Sequence, residues 1–434
     1  MKYIASCLLS VIILFSACNN KNKAASAEPG QSANDTLPQP FASKSVRNYS
    51  KVVGWPAGRT PVAPAGFTVV AFATGLVNPR NIYEGPNGDV FVAESNTEVK
   101  GIKKLGADLI GASKSQRLGT SANRVTLLRD TNKDGIPDRQ ITFLSGLDQP
   151  FGMLILGNYF YVANTDALWR FPYKTGDTVI TAKGEKILDL PRGGYNNHWT
   201  RNLLASKDKT KIYVSVGSGS NVAEHGMENE VRRANIIQIN PDGSGEKIYA
   251  SGLRNPVGMD WAPGTNMLWT SVNERDELGD DLVPDYATGV KEDGFYGWPY
   301  SYFGQHEDPR MKDKQRPDLV AKAIVPDVPL GSHTASLGLA FYTGTTFPEK
   351  YRGGMFIGQH GSWNRSVLSG YKVLFVPFKN SKPSGVPEDF LTGFIANPEK
   401  QEVYGRPVTL ASLSNGGLLL ADDSGNTIWL IRAH

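Results

Sequence analysis

The 434-residue sequence predicts an all-β chain, a six-bladed β-propeller of four-stranded antiparallel blades. Three observations lead there. The first is a returning motif: "GLVNPRNI" (Gly75–Ile82), "GLDQPFGM" (Gly146–Met153) and "GLRNPVGM" (Gly252–Met259), with weaker relatives "NHWTRNLL" (Asn197–Leu204), "ASLGLAF" (Ala335–Phe341) and "YGRPVTLA" (Tyr404–Ala411). The second is the β-run that follows each: "DVFVAES", "YFYVANT", "KIYVSVGS", "NMLWTSVNE", "GMFIGQHG" and "GLLLADD". The third is composition: 46 Gly and 27 Pro suit many short strands and turns, and no stretch beyond about ten residues keeps an amphipathic helical period. Units of roughly 50–85 residues, each a small sheet, describe a propeller. Two β-sandwich domains are the alternative, but no linker-like composition follows Arg59.

Taken in order, the chain opens on a targeting segment. Lys2 precedes an apolar run from Ile4 to Phe15, and Ser16, Ala17 and Cys18 supply small residues for cleavage. A bilayer span needs about 20 apolar residues, so this run is too short to be one. "LFSAC" resembles a bacterial lipobox, so residues 1–17 are expected to leave as a signal peptide. Cys18 then becomes a lipidated N-terminus on the periplasmic side of a membrane. Cys7 leaves with the leader, so no disulfide framework is possible. Residues 18–58, rich in Asn, Lys, Ala, Ser and Pro, read as a flexible tether, and 59–434 as the propeller. The net charge of +4 resides wholly in the first 58 residues, where six basic side chains face Glu28 and Asp35. The remainder is neutral, so composition gives no argument for nucleic-acid binding.

Further strands are expected at "RVTLLRD", "ALWRFPY", "ANIIQINPDG", "KVLFVPF" and "NTIWLIR". Propeller loops converge at one end of the channel, so residues of the six hinge segments should meet although distant in sequence. The hinges hold Arg80, His198, Arg201, Arg254, Asn255 and Arg406; nearby strand ends add Asn273, Glu274, Arg275, His360 and Arg365. A cluster rich in Arg and His with few carboxylates suits an anionic ligand, because guanidinium groups grip carboxylates bidentately. "DTNKDGIPD" is a separate signal: Asp130, Asn132, Asp134 and Gly135 match the first half of an EF-hand loop, while Ile141 stands where the bidentate glutamate belongs. It reads either as a structural Ca²⁺ site or as an Asp/Gly-rich β-turn. Neither HExxH nor CxxCH occurs.

"NHWTRNL", "GLRNPVGM", "VNERDELGDDLVPDY", "GFYGWPY", "GSHTASLGLAFY", "GQHGSWNRS" and "GRPVTLA", in this order, resemble the quinoprotein sugar dehydrogenases that use pyrroloquinoline quinone. The likeness runs from about Ala65 to Arg432 and is closer to the sorbosone and pyranose dehydrogenases than to soluble glucose dehydrogenase. It implies a tricarboxylate quinone lying over the channel with Ca²⁺. It also implies a sugar substrate and an external acceptor, a cytochrome or quinone, for the electrons. By motif, His198 matches the base that takes the sugar hydroxyl proton, and Arg254 the arginine that polarises the quinone carbonyl. Asn255, Asn273 and Arg406 match cofactor contacts, and the backbone carbonyls of Glu274 and Arg275 match calcium ligands. Arg80, Arg201, His360 and Arg365 are carried over by position. Val257 and "GQHGSWNRS" depart from the glucose enzyme's cofactor glutamine and lysine, so glucose specificity is not implied. An imidazole of near-neutral pKa, positioned by Asn197 and Trp199, is the expected form of His198. A metal-dependent sugar lactonase and a non-catalytic binding propeller are the alternatives; the first would want converging Asp, Glu and Asn ligands rather than Arg and His.

Overall fold

The computed structural model describes residues 37–98, 112–115 and 118–434. The signal peptide and Cys18 lie outside the described residues. Nearly every element is a strand, and the described helices are one or two turns long. Six sheets carry four or five strands each, all antiparallel apart from one short added parallel strand, Gly294–Phe295. We number them in chain order. Their first strands are Pro79–Glu84, Met153–Leu156, Leu203–Ala205, Pro256–Trp261, Ser336–Phe341 and Pro407–Ser412. Each first strand touches the next, and the sixth returns to the first. The fourth strand of the sixth sheet comes from the other end of the chain: Phe67–Ala73 pairs antiparallel with Thr427–Ala433. Every hinge motif of the sequence therefore leads into a first strand, and every β-run after it forms the second.

Polar bonds stitch the inner strands together. Asn81 Nδ2 donates to Phe151 O at 3.0 Å, Asn202 Nδ2 to Val257 O at 2.8 Å, Ser271 Oγ to Leu337 O at 2.7 Å and Thr409 Oγ1 to Arg80 O at 3.0 Å. Apolar side chains fill the space between sheets: Phe91, Phe143 and Phe160 meet edge-on at 4.8–5.0 Å between sheets one and two. Each such buried ring is worth about 1.5–3 kcal/mol relative to exposure. Four first strands slip register at their start, at Pro79/Asn81, Pro256/Met259, Ser336/Gly338 and Pro407/Leu410. A bulge there bends the strand and re-aims the residues just before it, which is how the hinges reach a common end.

Residues 38–58 differ from the expected tether by packing on this body. Lys51–Val52 pairs in parallel with Glu402–Val403. The Trp55 indole meets Phe394, Tyr404 and Trp429 at 5.2–5.3 Å. Apolar Trp55 and Val52 pack on the core and let the segment dock, where polar composition alone suggested none.

Candidate active site

The hinge segments and the exits of the second strands form one continuous circuit of contacts. His198 precedes the first strand of sheet three. Its Nδ1 lies 2.8 Å from Ser218 O and 3.0 Å from Ser218 Oγ. The Oγ hydrogen is committed to Ser220 O, so both Ser218 oxygens act as acceptors and Nδ1 carries the proton. Nε2 is then the basic atom. The ring is half-buried, yet surrounding protein and the Arg254 guanidinium push its pKa down to about 3.

Gly217 ends the second strand of sheet three, and a Cβ there would fall 2.4 Å from Asn255 Oδ1 and 2.6 Å from His198 Cβ. Only glycine lets the two residues close over this point. Asn255 Oδ1 is buried with no hydrogen-bond partner.

Arg254 is 3% exposed and pinned from three sides. Nε donates to Asn221 O at 3.1 Å, Nη2 to Asn221 Oδ1 at 2.9 Å, and Nη1 to Asn273 O at 3.1 Å and Glu274 O at 2.7 Å. The Asp276 carboxylate lies 3.6 Å from Nη2. Asp276 in turn accepts from His333 Nδ1 at 3.1 Å, while His333 Nε2 faces Gly279 O at 2.7 Å. Burial opposes charge on His333, but two acceptors on its two nitrogens outweigh that and raise its pKa.

Backbone contacts carry the circuit onward. His360 N donates to Ala335 O at 2.9 Å and Gly361 N to Thr334 O at 2.9 Å. His360 Nε2 lies 2.9 Å from Asp423 Oδ2, which Arg80 Nη1 meets at 2.5 Å. Burial would raise the Asp423 pKa, but His360 and Arg80 hold it well below the carboxylate range. His360 is pushed down to about 3 by burial and Arg406, so it is a neutral ring donating Nε2–H. The Arg80 guanidinium lies 5.2 Å over Trp199, the neighbour of His198, and the circuit closes.

A family model described as "Domain of unknown function (DUF7133)" matches residues 61–362. The chain belongs to this DUF7133 family. A second model, "TrAA12-like", matches residues 302–434. An "Uncharacterized protein" of Borreliella burgdorferi is 27% identical over 85% of this chain and 89% of its own length. A pyrroloquinoline quinone-dependent pyranose dehydrogenase of Coprinopsis cinerea is 24% identical over 85% of this chain, which spans only 54% of that enzyme. Among solved structures, the holo form of the Coprinopsis cinerea pyranose dehydrogenase PQQ domain superposes with a TM-score of 0.68 at 19% identity, covering 88% of this chain and 100% of that one. The calcium structure of the Trichoderma reesei Carbohydrate-Active Enzymes Family AA12 protein gives 0.70 at 18%, covering 89% and 99%. The DUF7133 chain thus shares the propeller fold of the quinone-dependent sugar dehydrogenases, as the sequence resemblance implied.

Within this DUF7133 chain, His198, Arg254, Asn255, Asn273, Arg80, His360 and Arg406 gather as expected, but the arginines do not stand unpaired. Arg80 is taken by Asp423, and Arg406 donates Nε to His360 O and Nη2 to Gly361 O, each at 2.9 Å. Arg201 is fully buried behind His198 and bonded to the carbonyls of His198, Thr200 and Pro191 and to Asn196, so most of its donors brace the hinge, while its Nε is buried without a partner. Arg365 pairs with Asp281 at 2.6 Å and donates Nη1 to Asp280 O at 3.0 Å, so it ties residues 360–366 to 276–281.

The metal assignments fit less well. Glu274 O is engaged by Arg254, and a cation on that oxygen would face a guanidinium. The Arg275 side chain is locked to Glu274 and Asp308, which leaves the expectation for its backbone carbonyl untouched. In the Asp130–Asp138 loop, Asp130 accepts from Lys133 N and Gly135 N at 2.7 Å, and Asp134 Oδ1 from Ile136 N at 2.8 Å. Asn132 Oδ1 accepts from Asp134 N at 3.1 Å, so these side chains close a turn on themselves. Among the described residues no group of three or more His, Cys, Asp and Glu could hold a metal ion.

Asn197 and Trp199 do not orient the His198 ring; Ser218 does, while Trp199 donates Nε1–H to Thr97 Oγ1 at 2.7 Å. Sequence reasoning passed over Ser218, Asn221, Asp276, His333 and Asp423. A usable signal existed. Gly217, Asn273, His360 and Asp423 each follow directly the last residue of a second strand.

Proposed function

We propose that the protein is a quinoprotein dehydrogenase that oxidises a sugar, with the six sheets as blades of a six-bladed propeller and the circuit as the wall of its active site. One observation carries this reading: His198 presents an unprotonated Nε2, fixed by Ser218, beside a rigid guanidinium. That pairing is what removal of a hydroxyl proton and stabilisation of nearby negative charge require.

The wall also suits an anionic cofactor. Arg80, Arg254 and Arg406 offer three guanidinium groups along it, with Asp276 and Asp423 beside them and Asp285 and Asp422 behind Asn273 and Arg406, and the His333 pKa is raised. Asn255 Oδ1 and Arg80 Nε are buried polar atoms without partners, of the kind a bound ligand satisfies. Arg406 meets only backbone carbonyls. Pyrroloquinoline quinone, when bound, would accept the two electrons of the oxidation. The chain's share is to hold it by Arg254, Asn255 and Arg406, to take the substrate proton at His198 Nε2, and to keep Arg254 where charge develops. A tricarboxylate exceeds the wall's positive charge, which a divalent cation such as Ca²⁺ would offset, though the Glu274 carbonyl is not its evident ligand. The arginine-lined wall favours this reading over a lactonase, which needs a metal cage.

A His198→Ala protein loaded with quinone should keep its cofactor and lose about 10²–10⁴-fold in dye-coupled turnover with an aldose. Near-normal turnover would make His198 a packing residue. We further propose that Cys18 anchors the protein on the periplasmic side of a membrane and that electrons leave to a separate acceptor. A Cys18→Ser chain should appear in the soluble fraction; one that stayed with membranes would refute the anchor.

A further inference from the structure

We infer that the segment 41–55, ahead of the propeller, positions the active-site wall. It runs past three of the loops that carry the circuit and ties to each beside a site residue.

The first tie is to residues 276–281. Phe41 N donates to Leu278 O at 2.8 Å. Ser43 Oγ accepts from Asp280 N at 2.7 Å, and Ser45 Oγ from Gly279 N at 3.1 Å. Gly279 O is the acceptor that faces His333 Nε2, and a Cβ on Gly279 would strike Ser43 at 3.0 Å. One peptide therefore joins the segment on its N–H side and the histidine that steadies Asp276 on the other. The second tie is to residues 360–366. Asn48 N donates to Trp363 O at 2.7 Å, and Asn48 Nδ2 to Ser366 O at 3.0 Å. Tyr49 stacks on Trp363 at 5.8 Å. Asn364 Nδ2 donates to Val46 O at 2.8 Å while its Oδ1 accepts from Glu277 N at 2.9 Å, so the segment holds two loops in register. The third tie is Trp55 Nε1 to Asp422 Oδ2 at 2.7 Å. Asp422 Oδ1 accepts from Arg406 N at 2.7 Å and Gly425 N at 2.8 Å, which sets the turn that presents Asp423 to Arg80 and His360.

The physical need is plain. Residues 273–283 and 360–371 are long connections between strands, with little sheet hydrogen bonding of their own. Loops of that kind open locally at low free energy unless something ties them. The segment supplies hydroxyl acceptors, an amide and an indole donor at the required points. These residues act through the wall and touch no reacting atom, so they are positioning residues.

Full-length Ser43→Ala/Ser45→Ala/Trp55→Phe protein, compared with wild type and with Ser43→Thr/Ser45→Thr, tests this by hydrogen–deuterium exchange without any cofactor. The expected result is exchange about tenfold faster in 276–281, 333–335 and 422–425, with the first strands unchanged. The threonine variant, which keeps both hydroxyl acceptors, should exchange like wild type. Unchanged exchange at 333–335 and 422–425 would overturn the inference, as would a threonine variant no better than alanine. Should the triple variant open globally, Ser45→Ala alone decides by the same criterion at 276–281 and 333–335. None of these readouts requires quinone binding, so a failure of the proposed function would be seen separately.

Discussion

A side chain's neighbours, more than its type, decide its chemistry, and His198 is the case in point. Its motif implied an imidazole titrating near neutrality, yet burial and Arg254 hold its pKa at about 3. The base form needs only to lack a proton at Nε2, and it does so throughout the neutral range. Turnover of the quinone-loaded enzyme should therefore stay level from about pH 8 to about pH 5 in its dependence on His198. An acid limb centred near the ordinary value of 6.5 that disappears in His198→Ala would contradict this. Stability carries the opposite signature. His198 and His360 bind protons in the unfolded chain below about 6.5 but not in the native one until about 3. More protons on the unfolded state mean that stability falls as pH drops through that window. His333 works the other way, its raised pKa adding stability that fades as pH rises.

Among elements, the inner half of each sheet was legible and the outer half was not. First and second strands such as Pro256–Trp261 and Leu268–Val272 are almost wholly buried, and so read as apolar runs after a Gly-Pro hinge. Outer strands such as Arg139–Leu144 and Glu185–Asp189 mix exposed and buried residues over few positions, which composition does not separate from a loop. Pro284–Val290 was missed because "PDYATGV" begins with proline and carries a buried aspartate. The same limit applies to the site. Arginine and histidine in a hinge announce a charge that must be answered. The answering groups, Asp423 and Asp276, lie in strings that also read as turns. Arg201 shows the converse: an arginine that spends most of its donors on the carbonyls of its own loop looks in sequence like one reserved for a ligand. The segment 41–55 was read as part of a tether because its ties are scattered hydroxyls, amides and backbone groups, and its few docked apolar residues, Val52 and Trp55, show no period.

For the whole molecule, closure is what turns scattered residues into a site. The pairing of Phe67–Ala73 with Thr427–Ala433 joins the two ends of the body and brings the sixth sheet against the first, where Thr409 meets Arg80. Arg80 and Asp423, 343 residues apart, become neighbours by that closure alone. Five of the six sheets contribute to the circuit, and its three arginines, Arg80, Arg254 and Arg406, come from three different sheets. The central claim is that this assembled wall binds an anionic quinone. Calorimetric titration of the apoprotein with pyrroloquinoline quinone, in the presence and absence of Ca²⁺, tests it most directly. The account predicts saturable binding at about one quinone per chain, weakened in Arg254→Ala and Arg406→Ala and by high salt, because charge carries the recognition. Absence of heat and of saturation in the wild-type protein under both conditions would contradict it.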